Sequence, residues 1–192
     1  MMTRTFLRLF LLGNVLVLAA GFLFSKKLQA PVVYEMKQKL LTIGTSSYAI
    51  KNKAGTPIYK VGFKTIGLGK HLQLTDANTG KEYYAIKHVL NPLGLAKYEI
   101  RQNDRVIADV KRKVKWIGLG TKFSVTSKLG TFKISGNFRA QDFKIKKDGQ
   151  LVATVSKKFF SFHDKYGVKI ERDQDAPFIL CLVVVLDEVT HD

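Results

Sequence analysis

From Met36 onward the chain runs in short stretches of alternating apolar and polar residues closed by turn residues. This period of two limits its fold more than any other feature. Tyr48 and Ile50 alternate with polar neighbours in residues 47–52, and Phe123 and Val125 do so in residues 122–127. Strand side chains point to opposite faces in turn, so each run buries one face and solvates the other. The punctuation is Asn52-Lys53-Ala54-Gly55, Asp76-Ala77-Asn78-Thr79-Gly80, Gln102-Asn103-Asp104 and Lys147-Asp148-Gly149. Asn, Asp and Gly accept the left-handed backbone of tight hairpins, so each of these joins two strands.

Between the breakers about twelve strands are predicted: 36–43, 47–52, 57–64, 71–76, 81–89, 96–102, 105–114, 122–127, 130–136, 141–147, 150–157 and 166–171. An even series of this length tends to close on itself and so remove its edges. The expected fold is therefore mainly β, a closed antiparallel barrel. A loose repeat runs through it: Ile43-Gly44, Ile66-Gly67-Leu68-Gly69, Leu93-Gly94-Leu95 and Ile117-Gly118-Leu119-Gly120 recur every 23 to 27 residues, as expected of hairpins repeated around a barrel.

The run from Pro177 to Leu186 breaks this rhythm. It is apolar on every side, follows the helix-start signal Asp175-Ala176-Pro177, and is too short to span a bilayer. A helix that is hydrophobic all round must be buried, so this segment is predicted as a core helix inside the strands. The alternative is a final buried strand rich in Val, which periodicity does not separate from a helix.

At the other end, Arg4 and Arg8 precede an apolar run that ends at Phe24 and is followed by Lys26 and Lys27. Its length suits an N-terminal hydrophobic helix that anchors the chain, with a cleavable signal peptide as the alternative. The chain is thus divided into an anchor or signal segment, 1–30, and one domain, 31–192. Lys26, Lys27, Lys37 and Lys39 outnumber Arg4 and Arg8, which places the domain in the cytoplasm if the segment spans a membrane, or outside the cell if it is cleaved.

The domain is large enough for one core, and a hydrophobic content of 46% excludes disorder. Cys181 is the only cysteine, so no internal disulfide forms; within its apolar run it is expected to be a buried, inert thiol.

The start Met36-Lys-Gln-Lys-Leu-Leu41 and the segment Val155-Ser-Lys-Lys-Phe-Phe-Ser-Phe-His-Asp-Lys-Tyr-Gly-Val168 resemble the LURP-one-related family. Gly136-Asn137-Phe138 and the closing Leu186-Asp187-Glu188-Val189 with His191-Asp192 look like it too. The resemblance covers nearly everything after residue 34. It implies a fold similar to tubby C-terminal domains and phospholipid scramblases, a twelve-stranded barrel around a central hydrophobic helix. Tubby domains bind phosphoinositide headgroups and scramblases act at membranes, so the resemblance implies a role at lipid surfaces. Phe159 stands where family members commonly carry Trp.

Enzyme signatures are absent. There is no H-E-x-x-H, G-x-S-x-G, Walker loop or paired-Cys metal spacing, and Gly67-Leu-Gly69 and Gly118-Leu-Gly120 lack the third glycine of a dinucleotide fingerprint. His71, His88, His163 and His191 are too dispersed for a metal site, and His163-Asp164 beside Tyr166 suits a structural hydrogen bond better than acid–base work. The reading is a non-enzymatic protein with no cofactor and no metal.

The charge is the better lead: 32 Lys plus Arg against 15 Asp plus Glu leave a net of +17, which attracts polyanions. Within Lys111-Arg112-Lys113-Val114-Lys115, alternation puts Lys111, Lys113 and Lys115 on one strand face and Arg112 on the other. Lys144, Lys146, Lys157 and Lys158 complete the candidate lipid-binding set. Anionic membrane lipids are the expected partner. Nucleic acid is the less favoured alternative, because the aromatics alternate as core residues and no reading helix is present. Lipid scrambling is a third reading, resting on fold analogy; nothing in the sequence indicates a protein partner.

Overall fold

The computed structural model describes residues 30–37, 48–65, 70–89, 97–113, 122–137, 140, 142–159 and 165–191. Twelve strands lie among them: β1 (Val32–Lys37), β2 (Tyr48–Asn52), β3 (Pro57–Thr65), β4 (Lys70–Asp76), β5 (Glu82–Val89), β6 (Lys97–Gln102), β7 (Arg105–Lys113), β8 (Lys122–Ser127), β9 (Gly130–Asn137), β10 (Asp142–Lys147), β11 (Gln150–Ser156) and β12 (Lys165–Ile170). A 3-10 turn, Lys157–Phe159, follows β11, and helix α1 (Ala176–His191) follows β12. All belong to the compact unit Pro31–Asp192.

Each strand pairs antiparallel with its neighbours in sequence, and β1 pairs with β12 to close the barrel. The alternation predicted from sequence is the device that builds it. In β10, Phe143 and Ile145 are buried while Asp142, Lys144 and Lys146 are exposed. Two hairpins turn on left-handed residues: Asn103 and Asp104 with φ of 49° and 60°, and Asp148 and Gly149 with φ of 47° and 89°. Asn, Asp and Gly meet that demand with least strain. Gly136 is needed for another reason: a Cβ there would lie 2.5 Å from the Asp142 carbonyl oxygen, so only glycine lets β9 run this close to β10.

The first strand departs from expectation. It begins at Val32 rather than at residue 36, because Tyr34 and Met36 fill the interior and six register pairs, from Val32↔Ile170 to Lys37↔Lys165, tie it to β12. Residues 38–43 lie outside the described residues, as do all four Ile/Leu-Gly repeats.

Helix α1 is the interior of the barrel. Every residue from Phe178 to Leu186 is at most 1% exposed, and burying each large apolar side chain contributes about 1.5–3 kcal/mol. The Phe178 ring meets those of Tyr84 and Phe132 at centroid distances of 5.7 and 5.2 Å. Asp175 starts the helix: its Oδ1 accepts the Phe178 N–H at 2.9 Å, and its Oδ2 accepts the Tyr84 hydroxyl at 2.6 Å. One carboxylate thus caps the helix and fastens it to β5. Burial, followed by this hydrogen bond, pushes the Tyr84 phenol well above its ordinary value. Cys181 is fully buried, and desolvation raises its thiol in the same direction.

The expected single-pass membrane localisation requires correction. Among the described residues no helix is long and apolar enough to cross a membrane. The apolar helix they contain, α1, has 16 residues and turns its hydrophobic surface to the barrel interior rather than to lipid. The N-terminal hydrophobic helix expected before the barrel, read as anchor or signal, falls on residues 1–29, outside the described residues.

Candidate anion-binding face

The outer face is set by strand register. Starting from β6, Lys97 is opposite Lys111, Lys111 opposite Ser124, Ser124 opposite Lys133, and Lys133 opposite Lys146. Two residues along each strand a second row runs Lys113, Lys122, Ser135, Lys144, Thr154 and Lys169. Neither row contains an Asp or Glu. Neighbouring strands lie about 4.8 Å apart and alternate residues along a strand about 7 Å apart. The β7–β10 part of the rows is therefore about 14 Å wide along the sheet.

The side chains of Lys133, Lys144 and Lys146 are exposed, and they make no ion pair among the described residues. Ser135, also exposed, faces Lys144 across β9 and β10. Ammonium groups interleaved with hydroxyls are suited to phosphate oxygens, since both donate hydrogen bonds and neither brings a competing negative charge. The rows are bounded by acids: Asp109 opposite Thr126 on one side, and Asp142 opposite Asn137 on the other. At the β12 end Lys169 pairs with Glu171 at 3.0 Å.

Of the sequence-derived candidates, Lys144 and Lys146 stand on the outer face of β10, and the backbone register places Lys111 and Lys113 in the same two rows. Arg112 is in register with Phe123, on the intervening row. Lys115 lies outside the described residues. Lys157 and Lys158 belong to the 3-10 turn after β11, Lys157 half-buried and Lys158 exposed, where the Lys158 N–H donates to Ser156 Oγ at 3.3 Å. Sequence reasoning missed Lys97, Lys122, Lys133 and Lys169. The available signal was Thr131-Phe132-Lys133-Ile134-Ser135, where alternation already turns Lys133 away from two buried neighbours. Among the described residues, no group of three or more His, Cys, Asp or Glu is placed to hold a metal ion.

A barrel of twelve antiparallel strands closed around one C-terminal apolar helix defines the structural class. The chain belongs to the LURP-one-related family, whose model matches residues 32–187. It is similar to the uncharacterized protein YxjI of Bacillus subtilis (strain 168), with 27% identity over 157 residues, covering 82% of this chain and 93% of that protein. It is also similar to a protein from Arabidopsis thaliana solved by X-ray methods, with a TM-score of 0.58 and 20% identity, covering 85% of this chain and 95% of the other. At that identity the structural likeness concerns the fold.

Proposed function

We propose that the barrel is a non-enzymatic module that binds anionic phospholipid headgroups, phosphoinositides among them, through the lysine rows of β7 to β10. The observation that carries this reading is the pair of adjacent rows in which lysine alternates only with lysine, serine and threonine. A surface built only for solubility intersperses both signs of charge. Each cation brought near an anionic leaflet contributes about 1 kcal/mol, so even three lysines give a useful affinity. The resemblance to tubby C-terminal domains, which bind phosphoinositide headgroups, supports the same chemistry.

Vesicle flotation tests the proposal. The full chain should float with vesicles containing anionic lipid and stay behind with neutral ones, and the difference should shrink as salt is raised. Equal recovery with both compositions would refute it. Salt-dependent retardation of nucleic acid without vesicle binding would replace it with the nucleic-acid reading.

A further inference from the structure

Lysines on this face directly oppose one another across strands. Lys133 of β9 is in register with Lys146 of β10, both exposed. The backbone register sets two further oppositions in these rows, Lys97 with Lys111 and Lys113 with Lys122, and one at the β1–β12 seam, Lys37 with Lys165. Directly opposed residues bring their Cβ atoms to about 5 Å, and like charges placed so destabilise a sheet. The remedy is used elsewhere in the same barrel: Lys87 on β5 is opposite Glu99 on β6, and Lys165 reaches Glu35 at 3.0 Å. At Lys133 and Lys146 it is not used. Six register pairs join β9 to β10, and in the closed barrel each of these strands is held on its other side as well, so the pair cannot separate by splaying the strands.

We infer that the opposed lysines couple anion binding to the stability of the barrel. The free protein carries cross-strand repulsion on this wall, and a multivalent anion lying between opposed ammonium groups removes it, so that occupancy stabilises the fold. The inference rests on the headgroup-binding reading for the identity of the natural anion. Its physical content is separate, and any multivalent phosphate can probe it. A monovalent salt only screens the repulsion, whereas a polyphosphate also neutralises the pair and is held more tightly by the folded arrangement, which fixes the two ammonium groups side by side, than by the unfolded chain.

The experiment is thermal unfolding of the full chain, of Lys146→Gln, and of the control Lys60→Gln. Lys60 is also exposed, but it is opposite Ala49 and Thr75. At about 10 mM salt the Debye length is about 30 Å and repulsion is least screened. There Lys146→Gln should melt about 1–3 °C above the parent, and Lys60→Gln should gain less. At about 1 M salt, where the Debye length is about 3 Å, the gain should vanish, which separates charge relief from any change in strand propensity. Inorganic tripolyphosphate should raise the melting temperature of the parent more than sodium chloride of equal ionic strength, and raise that of Lys146→Gln less. Lys133→Gln addresses the same pair from the other strand, should Lys146→Gln not fold.

The inference is overturned if neither variant exceeds Lys60→Gln at low salt, or if the gain persists at high salt. Flotation of the same proteins keeps it distinct from the lipid proposal. A charge-relief gain without vesicle binding leaves the coupling standing and the lipid reading refuted. Vesicle binding without the gain does the reverse.

Discussion

On the wall that runs from β4 to β6, Lys87 is in register with Glu99, and Arg101 reaches the same carboxylate at 3.2 Å. On the wall from β8 to β10, Lys133 is in register with Lys146, and Lys144 with Ser135. Both walls belong to one meander, share the same inward rows of Ile, Val, Leu, Tyr and Phe, and enclose the same helix. The barrel needs nothing from the outer rows beyond tolerance of solvent, so their composition is free to serve something else. On the first wall Lys87 and Arg101 have Glu99 to offset them; on the second no carboxylate stands in register with Lys133, Lys144 or Lys146.

The strongest test of that contrast removes the lysines. Replacing Lys133, Lys144 and Lys146 together by Gln should lower affinity for anionic vesicles about a hundredfold, at about 1 kcal/mol for each cation. The double replacement of Lys60 and Lys87 should change it by less than about threefold, because those lysines stand beside neutral or acidic residues. Flotation across a lipid titration measures both. Equal losses would mean that net charge alone governs binding and that the rows carry no special role.

A smaller change reverses the composition of one row. Ser135→Glu places a carboxylate opposite both Lys122 and Lys144. Vesicle affinity should fall about tenfold, while chemical denaturation should show a gain of about 0.3–1 kcal/mol from the new cross-strand attraction. Binding and stability would then move in opposite directions through one residue, as a binding wall requires and a solvated wall does not.

How much of this was legible beforehand follows from the range of the interactions involved. Helix α1 could be read because Phe178 to Leu186 is apolar on all sides, a local property that only an interior satisfies. The strands could be read because alternation and turn residues are local as well; the start of β1 was set four residues too late, because what defines it is pairing with β12, a contact between distant parts of the chain. The lysine wall depends on register. Lys111 and Lys146 are 35 positions apart in sequence and meet in one row only through Ser124 and Lys133, whose places are fixed by three successive ladders. Sequence therefore picked out lysines that cluster along the chain and passed over Lys133, which has no cationic neighbour in its own strand.

The paired wall makes the complementary prediction. Glu99→Gln removes the carboxylate that Arg101 contacts and that stands in register with Lys87 and Asp109. Stability should fall by about 0.5 kcal/mol, the modest value of a partly exposed ion pair, and vesicle affinity should hold within about twofold. Guanidinium melts and flotation read the two effects. A large loss of vesicle binding would place the functional face on this wall instead.

Acid separates the walls at the smallest scale, through the turn that joins β4 to β5. Asp76 Oδ1 accepts the N–H groups of Asn78 at 2.9 Å and Thr79 at 2.8 Å. These bonds, Thr79 first, hold the carboxyl below its ordinary value of 3.8. A group depressed in the folded state contributes stability that is present above its unfolded value and is lost as the pH falls through the folded one. Hydrogen-exchange protection at Asn78 and Thr79, measured against the intrinsic exchange rate at each pH, should therefore fall only below about pH 4, and Asp76→Asn should abolish that dependence. The amides of Ser124, Lys133, Ser135 and Lys144 stand in rows without a carboxylate and should show no such acid step. A step of equal size there would mean that acid loosens the barrel as a whole, and the two walls would then not be electrostatically independent.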